Sequence, residues 1–114
     1  MLMLFDRGLV NFDEPVATYW PEFAANGKSD ILLSHVMSHQ TGCSGFPRPV
    51  TASELYDHAL VADLLAGMKP WWEPGTGPGY HAITQGTMQA EVLRRVDGRS
   101  LGTFFKEEIA QPLG

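Results

Sequence analysis

Two stretches limit what this chain can become: G-C-S-G-F-P-R-P-V at 42–50 and K-P-W-W-E-P-G-T-G-P-G-Y at 69–80. Each interrupts any regular element, because glycine loosens the backbone while proline fixes φ and removes a donor. The apolar spacing around them is helical. Nowhere does a run alternate apolar and polar residues as a half-buried strand does. The expectation is a mainly α chain, helices joined by two long loops. With 114 residues it forms one domain, 1–114, around a modest core.

The start, M-L-M-L-F-D-R-G, reads as the last turns of a helix with Gly8 just beyond its end. Nothing precedes to begin that helix, so the chain is expected to be a piece of a longer protein. Residues 11–15 turn into a short helical stretch ending at Tyr19-Trp20-Pro21. Ser29 or Asp30 can cap a helix over 31–39 that carries Ile31, Leu32, Val36 and Met37. Thr51 and Glu54 have capping-box spacing. The helix they start runs to Gly67 with a break near His58; Leu55, Ala59 and Ala62 form its stripe, widened by Leu60, Val61 and Leu64. From Ala82 to Val96 the spacing is helical again, with Ile83, Ala90 and Leu93 on one face and Gly98 as the stop. Ser100 caps the last helix, striped by Leu101, Phe104, Phe105 and Ile109 and closed by Pro112.

A net charge of −5, with basic residues grouped only at Arg94, Arg95 and Arg99, argues against a nucleic-acid partner. The single cysteine, Cys43, allows no intrachain disulfide. The apolar start is too short for a signal-peptide core, and no run has the length of a membrane span. No membrane partner is expected, and a soluble, cytoplasmic chain is the default expectation.

Four patterns carry potential chemistry. His35 and His39 stand four apart on the expected helix, where two imidazoles can share a metal. However, the position after His35 is Val36, where a metalloprotease needs glutamate, so helix-end hydrogen bonding and loop packing are the expectation and no metal is assigned. Cys43 follows a helix end, where the dipole does not favour a thiolate, and reads as a small buried apolar residue. A lysine-activated hydroxyl requires Ser-x-x-Lys. Only Thr103-Phe104-Phe105-Lys106 has that spacing, and it lies in an amphipathic stretch. Tyr80 is different: a single phenol at the end of a stiff loop and the mouth of a helix. A phenol of pKa ~10 needs a nearby cation to act as a base at neutral pH. No lysine in this chain is placed by sequence to supply it.

Three segments taken together resemble a known family: D-R-G-L-V-N-F-D-E-P-V with Y-W-P-E-F; L-S-H-V-M-S-H-Q-T-G-C-S-G-F; and W-E-P-G-T-G-P-G-Y-H-A-I-T-Q-G through R-R-V-D-G-R-S-L-G to P-L-G. They are similar to the serine β-lactamase-related superfamily: class C-like β-lactamases, DD-peptidases and, above all, β-lactamase-fold carboxylesterases. The resemblance implies the helical domain of that β-lactamase/penicillin-binding-protein-like fold, lacking most or all of the α/β sheet domain. It implies that Tyr80 is the proton carrier, with His81 and Trp72 as substrate-binding candidates beside it. Ala82 stands where many members carry Asn, which leans toward an esterase-like subgroup. Neither Ser-x-x-Lys nor Lys-Thr-Gly is present.

The expected function follows. The chain is a fragment of a serine hydrolase acting on esters or amides by acyl transfer, inactive alone, without cofactor, and meeting substrate only with the missing domain. The alternative is a non-catalytic helical binding or assembly module derived from the same fold. In either case Leu2, Leu4 and Phe5, followed by Trp71, Trp72 and Tyr80, are expected to be left uncovered, so a homodimer or other self-association is the expected state.

Overall fold

The structure is a computed structural model describing all residues 1–114. It is helical, with one isolated antiparallel bridge, Pro15 to Leu32, in place of any sheet. Helix α1 covers Leu2–Asp6 and ends, as expected, at Gly8 with φ +71°. Helix α2 covers Val16–Tyr19, and a 3-10 turn at Pro21–Ala24 follows it.

The expected helix over 31–39 is shorter. Helix α3 covers only Leu33–Met37. Ile31 and Leu32 are extended because residues 12–16 claim their backbone. Val16 N–H donates to the Ile31 carbonyl at 2.8 Å, Leu33 N–H to Glu14 O at 2.9 Å, and Ser34 N–H to Phe12 O at 2.8 Å. Neither Ser29 nor Asp30 caps the helix. The side-chain acceptor at its start is His35 Nδ1, which takes the Leu32 N–H at 3.2 Å.

The second block follows its local signals closely. Glu54 N–H donates to Thr51 Oγ1 at 3.2 Å, and Thr51 N–H donates back to Glu54 Oε2 at 2.8 Å, completing the box that starts helix α4, Ala52–Leu55. Asp57 then restarts the chain as helix α5, His58–Gly67, accepting from Leu60 N–H. The break near His58 is where the sequence puts it, but the stripe is rotated. Val61, Ala62, Leu65 and Ala66 are buried while Ala59 is exposed. Helix α6, Thr84–Asp97, packs across α2, α3 and α5 and ends at Gly98 with φ +90°. Its buried face runs through Thr84, Met88, Glu91, Val92 and Leu93, so Leu93 keeps its place and Ile83 is exposed.

Ser100 Oγ accepts the Thr103 N–H at 3.1 Å to start helix α7, Leu101–Phe105. Pro112 does not close this region as expected. The chain widens into a π turn at Lys106–Ala110 and continues as helix α8, Gln111–Leu113. In a regular helix the proline ring would meet the carbonyl four residues back, that of Glu108, and the wide turn lies at that point.

One core gathers Leu4, Val16, Trp20, Phe23, Leu33, Val36, Leu65, Met88 and Val92. Leu4 is fully buried, against the expectation that it is uncovered; Leu2 and Phe5 of the same helix are exposed. Lys28 is also fully buried. Its ammonium donates to Ala25 O at 2.6 Å and to Met68 O, above the Phe23 ring. Burial pushes its pKa down. It ties the 25–28 turn to the end of α5, a role its sequence context does not signal.

Candidate functional site

The loop that carries Tyr80 has no regular structure, yet its backbone is held at close intervals by the segment that trails α3. Trp71 N–H donates to Gly42 O at 2.8 Å, Gly75 N–H to Gln40 O at 2.9 Å, and Gly79 N–H to His39 O at 2.9 Å. Farther on, Thr84 Oγ1 donates to Cys43 O at 2.6 Å. Gln85 Nε2 reaches both Val36 O and Met37 O at 3.1 Å, satisfying carbonyls at the end of α3. Residues 36–43 thus act as a template on which 71–85 is laid.

Glycine allows two of these approaches. A Cβ on Gly79 would stand 2.4 Å from Cη2 of Trp72, and one on Gly42 would stand 2.6 Å from the Trp72 carbonyl. The Trp72 indole is fixed in turn, donating Nε1–H to Gly77 O at 3.0 Å and meeting the His81 ring edge-on at 5.9 Å between centroids. The sequence feature of two tryptophans before a glycine-rich turn therefore has a packing reason: the ring fills the space that the missing side chain leaves.

Tyr80 stands at the end of this loop with 79% of its surface exposed. Its ring lies 5.0 Å from that of His39, tilted by 44°. His81, expected to touch substrate, is instead 1% exposed, with both ring nitrogens committed. Nδ1 faces the Gly79 carbonyl, which can only accept, so Nδ1 carries the proton. Nε2 then accepts the Thr41 hydroxyl at 2.7 Å, and Thr41 Oγ1 accepts the Cys43 N–H at 3.0 Å. Burial, which outweighs the bond to Gly79, pushes the His81 pKa down and keeps the ring neutral. Trp72, the other expected substrate contact, is half-buried beside it.

The remaining candidates fall into scaffold roles. His35 and His39 do not share a helical face, because α3 ends at Met37 and His39 has φ +60°. Each uses Nδ1 to accept a backbone N–H, from Leu32 and from His81 respectively. Cys43 is buried and burial pushes its thiol pKa up, as a small apolar residue requires. Thr103 and Lys106 are both exposed, and Thr103 Oγ1 accepts from the capping Ser100 hydroxyl at 2.9 Å. The grouped arginines are spoken for. Arg94 and Arg95 hold Glu91, Arg95 also reaches Glu22, and Arg99 joins Asp97, Glu107 and Glu108. Sequence reasoning missed Thr41, whose hydroxyl is read only once His81, forty positions on, is known to meet it.

The family model described as Beta-lactamase matches residues 1–114. The esterase/beta-lactamase LipL of Mycobacterium tuberculosis (strain ATCC 25618 / H37Rv) is 42% identical over 110 residues, covering 96% of this chain and 25% of that protein. A solved family VIII carboxylesterase superposes with a TM-score of 0.94 at 45% identity, over 97% of this chain and 31% of the other. A penicillin-binding protein homologue from Caulobacter crescentus gives a TM-score of 0.92 at 41% identity, over 97% and 30%. The chain spans about a quarter of the length of the curated relatives it matches.

Proposed function

This chain belongs to the beta-lactamase family, and from that premise we propose that it supplies the tyrosine half of an acyl-transfer site for esters or amides. The supporting observation is a phenol left exposed while the residues on either side of it are pinned by hydrogen bonds. A residue placed only for packing would be expected under cover. In the proposed chemistry a serine hydroxyl, outside this chain, attacks the substrate carbonyl. Its proton passes through Tyr80 to the leaving group. That cycle needs a cation beside the phenol, which is proposed to come from outside this chain. Lys28 is buried against Phe23, and Lys106 lies on the π turn after α7. The chain is therefore proposed to be inactive alone, with its substrate met only alongside the rest of the fold. Trp72 keeps its proposed place on the substrate side, and the buried His81, packed on Trp72 and bonded to Thr41, anchors the backbone after the phenol. No helix is long and apolar enough to cross a membrane; a cytoplasmic location is part of the proposal, in keeping with a single free cysteine.

The test has two arms. The purified chain should turn over p-nitrophenyl butyrate and nitrocefin at background rate; turnover that disappears in Tyr80→Phe would overturn its inactivity. The protein read from the frame extended upstream and downstream should hydrolyse the ester and lose about 100-fold or more in kcat with Tyr80→Phe. An extended protein indifferent to that change would remove the proton-carrier role. The second reading, a non-catalytic assembly module, is favoured by one observation: Leu2, Leu101 and Phe105 line an exposed apolar groove between α1 and α7. On either reading we propose self-association through that face.

A further inference from the structure

We propose that His39 is the residue that positions Tyr80, an inference that rests on the reading of Tyr80 as proton carrier. Four observations meet at this one residue. Its carbonyl accepts the Gly79 N–H at 2.9 Å, fixing the residue before the tyrosine. Its ring Nδ1 accepts the His81 N–H at 2.9 Å, fixing the residue after it. Its ring centroid lies 5.0 Å from that of the phenol, the two planes tilted by 44°. Its backbone, at φ +60°, occupies a left-handed conformation that few residues other than glycine adopt. That reversal turns both the carbonyl and the imidazole of one residue toward the same three-residue stretch.

The arrangement specifies the chemical form of the ring. Nδ1 must keep a lone pair to accept the His81 N–H, so the neutral imidazole carries its proton on Nε2. Protonation at Nδ1 would set two donors against each other and release one side of the clamp. With the phenol itself mostly in solvent, the contacts on positions 79 to 81 are what restrict the directions in which the ring can point. A proton carrier misplaced by an ångström loses much of its effect. His39 thereby acts on the chemistry without touching a reacting atom.

The clamp has two separable parts, and substitutions divide them. His39→Asn keeps an acceptor near the place of Nδ1 and tolerates positive φ, but removes the ring. His39→Ala removes both. The chain labelled with 3-fluorotyrosine contains three reporters, Tyr19, Tyr56 and Tyr80, and Tyr80→Phe assigns the third. In His39→Ala the Tyr80 fluorine resonance should move toward that of Tyr56, which is 91% exposed. Hydrogen exchange at the His81 amide should quicken about tenfold or more, as expected for one lost hydrogen bond. The Tyr19 resonance should stay in place. In His39→Asn the His81 amide should stay slow while the Tyr80 resonance still moves. An unmoved Tyr80 resonance in both variants overturns the proposal, as does an unchanged His81 exchange rate in His39→Ala. Should His39→Ala fail to fold, His39→Asn decides alone through the Tyr80 resonance. None of these readouts uses turnover, so the loss of the proton-carrier reading would leave them standing, and their failure would leave that reading untouched.

Discussion

Glu91 shows how much one side chain can hold. It is 3% exposed on α6 and receives His58 Nε2 at 2.8 Å, Arg94 at 2.7 and 3.0 Å, and Arg95 at 2.7 Å. Burial alone would raise its pKa. The three donors more than reverse that and hold the carboxyl at about 2, against an ordinary 4.5. Since its folded pKa lies below its unfolded one, the stabilisation is complete above pH 4.5 and is lost as pH falls toward about 2. Glu91→Ala should lower the unfolding free energy by about 2 kcal/mol at pH 7, because it removes the buried acceptor of charge-assisted hydrogen bonds from Arg94 and Arg95 and leaves Arg95 with Glu22 alone. Urea denaturation measures this, and the gap to wild type should close across that acidic window. A gap of constant size would mean that packing, not charge, is what the substitution removes. The sequence shows part of this network: Glu91, Arg94 and Arg95 stand three and four apart, the spacing of helical ion pairs. It does not show His58, because that contact depends on α5 lying across α6.

At the level of elements, signals written within a few residues were legible. The Thr51–Glu54 box, the break near His58, the Ser100 cap and the stops at Gly8 and Gly98 all form where the sequence puts them. Features set by a distant neighbour were not. The strand-like pairing of residues 12–16 shortened α3, and the buried faces of α5 and α6 turned toward partners that no local period names. The candidate site divides in the same way. Tyr80 at a loop end is visible from composition and resemblance, whereas the template at 36–43 is not. The loop itself gives a sharp prediction. In Gly79→Ala the new methyl meets a Trp72 ring anchored at Gly77 O, with no free side toward His81. The expected cost is about 1–3 kcal/mol, with a shifted Trp72 fluorescence. Gly77→Ala, whose added methyl meets nothing within 4 Å, should be within about 0.5 kcal/mol of wild type. Equal losses at the two glycines would show that backbone conformation, not the indole, sets the requirement.

Taken whole, the molecule leaves an apolar face uncovered between α1 and α7. Leu2 is 71% exposed, and beside it Leu101 and Phe105 line the groove with Met1, Met3 and Ile109. Fully burying one such side chain contributes roughly 1.5–3 kcal/mol. A two-fold pairing of these faces is thus expected at micromolar concentration in sedimentation velocity. Leu2→Asp should return the chain to monomer without loss of helix content. Leu4, fully buried in the core, cannot serve that purpose. A wild-type monomer throughout the micromolar range would withdraw the association. The template that seats the tyrosine loop has a consequence for the order in which the chain acquires its shape. Every bond that holds residues 71–85 there comes from about thirty to fifty positions upstream, and contacts so far apart close late, after local turns and caps have formed. The phenol can take its place only once the two halves of the chain have met. A partly folded molecule therefore offers no half-made site: the loop is either unformed or already aimed.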